Sequence, residues 1–599
     1  MTKTSDIIPI ETARTLHGLF RERVRRTPEA VAYRHFDEQP RQWKDTTWAE
    51  MASQVARWQA ALAREGLQPG DRVALLMRNC REWVIFEQAA LGLGLVVVPL
   101  YPNDRADNIS YIVQDAGARV LFIENGDQWR SLAEVRSQLE GLLRIVTLHP
   151  VIDATEPRLQ PAMEWLPEQG GELHTHDCES TALATIVYTS GTTGRPKGVM
   201  LSHLNILWNA HSCLDSVPVY REDLFLSFLP LCHTYERLVG YYLPMMAGAT
   251  IAYARAIPLL AEDMLSVRPT IMVSVPRIYE RIHAKIKTQL EEGPTLKRNL
   301  FNAAVETGWS RFERRQGRGS WRFSHLLWPL FDKLVASKVM AKMGGRLRIA
   351  MCGGAPISLP VSKVFIGLGL PLLQGYGLTE ASPVISTNKE HDNDPSGIGP
   401  PIRDALVRIG EDGELLAKTP GVMLGYWHNP EATAKAIDAD GWLHTGDKAR
   451  IENGHIYITG RLKEIIVMAN GEKMPPADME MAIALDPLFE QVMVVGEGKP
   501  YLSALAVLNK EHWMGLASEL GLDPAAPASL KDKRVCSAVL QRIAEQLRGF
   551  HAYAQVRRVA LDLEPWTVEN GLITPTLKLR RSRVLERYHE AVEKLYEGH

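Results

Sequence analysis

The segment YTSGTTGRPKGVMLSH, from Tyr188 to His203, concentrates groups that can bind an anion. An apolar run, ATIVY, leads into Thr189, Ser190, Gly191, Thr192, Thr193 and Gly194, and Lys197 closes the segment. Such a loop can turn several backbone N–H groups toward one anion, while hydroxyls add donors and the lysine adds charge. The chemistry it suits is the cradling of a polyphosphate. The common nucleotide-triphosphatase loop requires Gly-Lys-Ser/Thr, whereas here Pro196 precedes the lysine and Gly198 follows it, so the cradle is of another kind. A flexible surface loop is the plain alternative.

The elements around this loop predict an α/β protein. WAEMASQVARWQAALAREGL spaces its apolar residues at three and four, as a helix does, and RVALLM, VVVPLY and RVLFIE read as buried strands between helical stretches. Strands alternating with helices indicate a doubly wound sheet, and the pattern resumes at ALATIVYTS, TIMVSVP and LRIAMCGG. From about 278 to 342 the strand signals stop. That stretch reads as a helical insertion rich in Arg and Lys, with Trp309, Phe312, Trp321, Phe323, Trp328 and Phe331 interleaved. Its aromatics either pack inward or form a membrane-surface face. Short strands and Gly turns at about 404–460 predict a small β-subdomain. The expected organisation is a large N-terminal domain of doubly wound mixed sheets, 1–460, and a small mobile α+β C-terminal domain, 461–599.

Whole-chain composition excludes several classes. The 599 residues exceed one small core, and 45% apolar with 23% charged residues argues against disorder. A net charge of −2 gives no general pull toward nucleic acid. Six scattered cysteines without a C-x-x-C pair make no disulfide framework and fit a reducing cytoplasm. Asp6 and Glu11 interrupt any secretory leader. The uncharged run between Arg237 and Arg255 contains Pro244 and Gly248 and is shorter than the ~20 apolar residues of a spanning helix, so a buried segment is expected. His174, His176 and Cys178 lack a fourth metal ligand at useful spacing.

With PLCHTYER (230–237), CGGAPIS (352–358), QGYGLTE (374–380), GWLHTGD (441–447), GRLKEIIVMANGEK (460–473) and NGLITPTLKLRR (570–581) following the loop in order, the chain resembles the adenylate-forming superfamily over nearly its whole length. That superfamily includes acyl-CoA synthetases, adenylation domains and luciferases. The resemblance implies ATP and coenzyme A as cosubstrates and Mg²⁺ at Thr189 and Glu380. A carboxylate oxygen such as Glu380 is a hard ligand suited to Mg²⁺ on phosphate. The resemblance assigns Gly353, Gly354 and Ala355 to the adenine side, and Gln374, Gly375, Tyr376, Gly377 and Thr379 to the nucleotide. The Tyr376 ring could stack on a purine, and the two glycines would allow close backbone approach. Asp447 and Arg461 are assigned to the ribose, His233 to the substrate carboxylate, Lys197 to the phosphates and Lys578 to catalysis. Lys463 is assigned to the hinge. Taken singly, each has an ordinary explanation as a turn, a cap, a core histidine or a solvated charge. Glu236 and Arg237 are expected to form a structural ion pair.

FLSFLPLCHTYER and the helical insertion look like long-chain fatty acyl-CoA synthetases. The expected reaction joins a long-chain fatty acid to AMP and then to coenzyme A, releasing pyrophosphate and AMP. GYYLPMMAGATIAYA suits an acyl tunnel or sheet core equally. The alternatives are an acyl-AMP ligase for another acid or acceptor, a luciferase-type oxygenase, and a catalytically silent lipid- or nucleotide-binding relative. GRLKEIIVMANGEK runs on without the insertion typical of fatty acyl-AMP ligases, and no carrier domain follows His599. The expected setting is cytoplasmic with peripheral membrane contact on the inner face, and the oligomeric state is left open.

Overall fold

The computed structural model describes residues 3–151, 156–189, 195–550 and 554–597. Two eight-stranded mixed sheets make up most of the chain. In the first, the order is Gly425–Tyr426, Lys197–Ser202, Leu183–Thr189, Val96–Leu100, Arg72–Leu76, Ala118–Ile123, Arg144–Thr147 and Leu159–Pro161. The second runs Val384–Thr387, Leu372–Gly377, Ile349–Cys352, Ile271–Ser274, Leu224–Ser227, Thr250–Tyr253, Val31–Asp37 and Gln42–Thr47. Neighbours in the middle of each sheet are parallel, and antiparallel strands occupy edges. Central strands such as Val96–Leu100 and Ile349–Cys352 are buried along their whole length, as parallel strands covered on both faces must be. The helix Trp48–Ala63 starts where the alternation predicts one, because Thr47 and Glu50 cap each other's backbone N–H.

Residues 404–460 fold as expected into an antiparallel sheet, Leu406–Ile409, Glu414–Lys418, Leu443–Glu452 and His455–Arg461. Beyond it, Phe489–Val495, Leu502–Leu508 and Val556–Asp562 form a three-stranded mixed sheet. Two apolar clusters, around Trp513 and around Trp566, draw only on residues after 465.

The run between Arg237 and Arg255 is core. Tyr241, Tyr242, Met245 and Met246 are fully buried, and the stretch is divided among short helical turns and the strand Thr250–Tyr253. These side chains pack against one another and against the central helices, so of the two roles open to this stretch the structure shows the core. Among the described residues no helix is long and apolar enough to cross a membrane.

One expectation is corrected at the head of this segment. Glu236 and Arg237 do not pair, because successive helical residues point in different directions. The fully buried Arg237 instead reaches Glu87 on the helix Arg81–Gly92 and donates to the Thr185 hydroxyl at 2.8 Å. Glu236 turns the other way and accepts from Ser227 at 2.6 Å, and burial pushes its carboxyl up to about 8, so it is mostly protonated at neutral pH.

The stretch 278–342 is helical. Pro276–Glu291 and Thr295–Arg315 are its two long helices. The second crosses Leu359–Gly367 so closely that a Cβ on Gly308 would lie 1.7 Å from the Gly367 carbonyl oxygen, so only glycine permits the crossing. Its aromatics divide into a packed set and an exposed set. Trp309, Phe312, Trp328 and Phe331 pack against the domain, whereas Trp321 and Phe323 stay exposed.

Removing one member of a buried ion pair leaves the other charge uncompensated, at a cost of about 3–5 kcal/mol. Glu87→Ala should therefore lower stability by that order, read from urea-unfolding midpoints of the full chain. A midpoint equal to wild type would show that the Arg237 contact contributes nothing.

Candidate active site

The loop ends are held by a β-ladder in which Thr189 stands opposite Lys197. Ser190, Gly191, Thr192, Thr193 and Gly194 lie outside the described residues. At the base of the ladder the Tyr188 hydroxyl donates to Asp115 at 2.5 Å, and the Trp427 indole N–H donates to the Asp115 carbonyl at 3.0 Å. The Lys197 ammonium lies 5.0 Å from the centroid of the Tyr426 ring. The hydroxyl of that same ring donates to Glu380 at 2.8 Å. Tyr426 thus links the lysine and the carboxylate that sequence reading assigned to opposite roles around phosphate. It was missed in the sequence because no spacing ties it to either.

Along QGYGLTE the residues divide. Tyr376 donates its hydroxyl to Asp447 at 2.5 Å, and Arg461 sits on the other Asp447 oxygen at 3.2 Å. Burial raises the Asp447 carboxyl, and Arg461, Tyr376 and Lys578 pull it back down. Thr379 shares a hydroxyl contact with Thr234 at 3.2 Å, next to His233. Gln374 is held by the surrounding backbone: its amide accepts from Ile357 N–H and donates to the Gly397 carbonyl, both at 2.9 Å, and its own carbonyl accepts from Asn388. It ties strands together. Gly377 is required by a neighbouring strand, since a Cβ there would lie 1.9 Å from the Pro383 carbonyl oxygen. Gly353 and Gly354 follow the strand Ile349–Cys352, with Gly354 at φ +80° and Ala355 exposed beside it.

His233 caps the short helix Thr234–Arg237, its Nδ1 accepting from Tyr235 N–H at 3.1 Å. Burial, with Lys578 nearby, depresses its pKa to about 4, so the ring is neutral at ordinary pH. Lys578 comes from the far end of the chain. Its backbone is fixed by Thr574, whose hydroxyl accepts from Lys578 N–H at 3.1 Å and whose N–H donates to the Lys578 carbonyl at 2.9 Å. The residue is solvent-exposed, although nearby protein atoms disfavour its charged form. Desolvation first and Arg461 second lower its pKa, opposed by Asp447, Glu380 and Glu464. Those neighbours put the lysine over the same cleft as Tyr376 and His233. Lys463 is exposed in the turn that follows His455–Arg461. Two residues that sequence reading passed over, Glu464 and Arg581, meet at 3.5 Å just beyond it.

Among the described residues no group of three His, Cys, Asp or Glu side chains could hold a metal ion. His174 and His176 are bound up with the helix packing, the former through Gln59.

The AMP-binding enzyme family model matches residues 20–427, and the AMP-binding enzyme C-terminal domain model matches residues 463–599. The chain belongs to the AMP-binding enzyme family. It is 32% identical to the long-chain-fatty-acid–CoA ligase FadD15 of Mycobacterium tuberculosis, over 96% of each chain. To the long-chain-fatty-acid–CoA ligase 5 of Rattus norvegicus it is 30% identical, over 100% of this chain and 91% of that one. The same fold appears in the anthranilate CoA ligase AuaEII in complex with anthranoyl-AMP, at TM-score 0.74, 19% identity and coverage of 98% and 99%. The A domain of carboxylic acid reductase from Segniliparus rugosus shares it at TM-score 0.76, 20% identity and coverage of 98% and 96%.

For an AMP-binding enzyme, the Tyr376–Asp447–Arg461 cluster gives a direct expectation. A hydrogen bond to a charged group contributes about 1.5–3 kcal/mol, so Asp447→Asn should weaken AMP binding by roughly 10- to 100-fold in calorimetric titration. Tyr376→Phe keeps the ring and should cost only a few-fold. Wild-type affinity in Asp447→Asn would remove this carboxylate from nucleotide recognition.

Proposed function

We propose that this AMP-binding enzyme is an ATP-dependent long-chain fatty acid–CoA ligase that works through an acyl-adenylate in the cytoplasm. The observation that carries the reading is Lys578, a cation from the C-terminal part of the chain set beside Asp447 and Glu380 of the large domain. The relatives named as long-chain-fatty-acid–CoA ligases support the substrate class, and six free cysteines suit a reducing compartment.

In the first half-reaction a carboxylate oxygen attacks the α-phosphorus of ATP, the α–β bridging P–O bond breaks, and pyrophosphate leaves. Charge accumulates on the transferred oxygens, and a preorganised cation there lowers the barrier without rearranging water. Lys578 is the residue proposed for that task, with Lys197 and the loop from Thr189 holding the departing phosphates. The neutral His233 can donate one hydrogen bond to the acid without repelling the nearby lysine. In the second half-reaction the sulfur of coenzyme A attacks the acyl carbon, the bond to AMP breaks, and the thiol proton passes to solvent. We assign the boundary between the two domains to residues 460–461 and the pivot between half-reactions to Lys463, which is exposed.

Mg²⁺ fits the donors present. Glu380 offers a carboxylate oxygen beyond the one held by Tyr426, and Thr189 a hydroxyl, both hard ligands. A phosphate-bound Mg²⁺ takes few protein ligands and keeps water or phosphate in the rest. When bound, the ion supplies charge neutralisation at the phosphates.

Coenzyme A-dependent AMP release, measured over carboxylates from acetate to oleate, tests the assignment. The highest kcat/KM should fall on long chains, and a maximum on short or aromatic acids would overturn the substrate class. Lys578→Ala should abolish adenylate formation by at least 100-fold yet leave thioester formation from supplied acyl-AMP nearly intact. Equal loss in both would sink the role given to the lysine. Because the folded pKa of Lys578 is lowered from 10.5, its charge is lost earlier as pH rises, so the alkaline fall in adenylation should begin below pH 10.5. Lys578→Arg should lack that limb. Proline fixes φ and removes a backbone donor, so Lys463→Pro should spare adenylation and depress thioester formation. Normal rates in both would move the pivot elsewhere.

A further inference from the structure

The end of the helical insertion carries two apolar faces. Between Phe323 and Ala336 a short 3₁₀ turn, a helical turn and a π turn follow one another. One side, with Trp328, Phe331 and Val335, packs on the helix Thr295–Arg315. The other presents Phe323, Leu326, Leu327, Leu330 and Leu334 to solvent, with Phe323 81% and Leu326 69% exposed. A helical segment that is apolar all round and bare on one side is normally covered by something.

The charge beside this face names the cover. Residues 311–342 hold eight Lys and Arg against Glu313 and Asp332, in a chain whose net charge is −2. Glu313 is taken by Arg318, which also donates to the Asn393 carbonyl, so Arg318 braces the fold. Among the described residues no carboxylate pairs with Arg311, Arg314, Arg315 or Arg322. The first three line an open pocket of about 460 Å³ together with Trp321, His325 and Leu326. Arg311 is held in place over the Trp328 ring, 4.5 Å from its centroid. The pocket opens beside the bare apolar face, since Leu326 belongs to both.

We propose that this surface docks on an anionic phospholipid bilayer, with a lipid phosphate seated among Arg311, Arg314 and Arg315 and with Phe323, Leu326 and Leu330 entering the acyl boundary. Unpaired guanidinium groups recognise phosphate oxygens, often through two parallel hydrogen bonds. Each cation near an anionic leaflet contributes about 1 kcal/mol, and the apolar side chains add to it, which gives reversible attachment without a spanning helix. The surface lies in the insertion and shares no residue with the Tyr376–Asp447–Lys578 cluster, and the proposal does not depend on which carboxylate the enzyme activates.

Co-sedimentation of the full chain with vesicles tests it. Wild type should bind vesicles of phosphatidylcholine mixed with phosphatidylglycerol at low salt, release at high salt, and ignore phosphatidylcholine alone. Replacing three exposed arginines without a carboxylate partner together, Arg314→Glu, Arg315→Glu and Arg322→Glu, should lower partitioning by about two orders of magnitude, at tenfold per 1.4 kcal/mol. Phe323→Ser with Leu326→Ser keeps every charge and should lose the quenching of tryptophan fluorescence by brominated acyl chains that wild type shows. Unchanged AMP affinity in each variant certifies the fold. Inorganic phosphate and glycerol 3-phosphate should compete only weakly; if either alone saturates the pocket and blocks vesicles fully, the site is one for a free anion. Absence of binding at low salt, or binding that survives the triple replacement, overturns the proposal. So does concentration-dependent self-association that is abolished by Phe323→Ser with Leu326→Ser, because the cover would then be a second copy.

Discussion

A line of ionic contacts runs through the junction between the large and small parts of the molecule, apart from the Arg277–Glu490 pair at 3.0 Å, and the arrangement of the site depends on it. Asp447 meets Arg461 at 3.2 Å, Arg461 meets Glu464 at 3.8 Å, and Glu464 meets Arg581 at 3.5 Å. Arg581 also reaches Glu480 inside the small part. Lys463 lies within this line in sequence but takes no part in it. The line aligns the segment carrying Lys578 with the cleft, so the lysine feels the charges of Asp447 and Glu380 despite the desolvation that this costs. Partly exposed pairs of this kind contribute about 0–1 kcal/mol each. They select an orientation without locking it, which suits a domain proposed to turn between two half-reactions.

The other wall of the cleft is built differently. Arg237, Glu87 and Thr185 are buried together, and the Arg237 N–H donates to the His233 carbonyl at 3.0 Å. A buried charge that loses its partner is expensive, so this wall resists rearrangement. His233 is therefore carried on a rigid floor. Lys578 approaches from a clamp held by weak, solvated pairs.

The helical insertion follows a third pattern. Its inner face is fixed by the close crossing at Gly308 and by Trp328 and Phe331, and its outer face is left apolar and cationic. Arg318 shows why counting charges along the chain is insufficient. It stands among free arginines in sequence, yet Glu313 and the Asn393 carbonyl hold it in space.

Local information in the chain determined a good deal. Hydrophobic period marked buried strands such as Val96–Leu100 and the helix Trp48–Ala63, because burial on one or both faces imposes that spacing locally. The ordered motifs named the family, since the residue types that handle phosphate, ribose and carboxylate are few. What spacing cannot carry is the direction of a side chain relative to distant elements. Only the tertiary structure turned Gln374 into a brace between strands, paired Arg237 with Glu87 rather than with its neighbour, and set Tyr426 between Lys197 and Glu380. It also divided the insertion's aromatics into a packed set and an exposed set. Those outcomes depend on which residues meet across hundreds of positions, and the sheets and their packing decide that, because a polar group is either partnered or penalised only once its surroundings are complete.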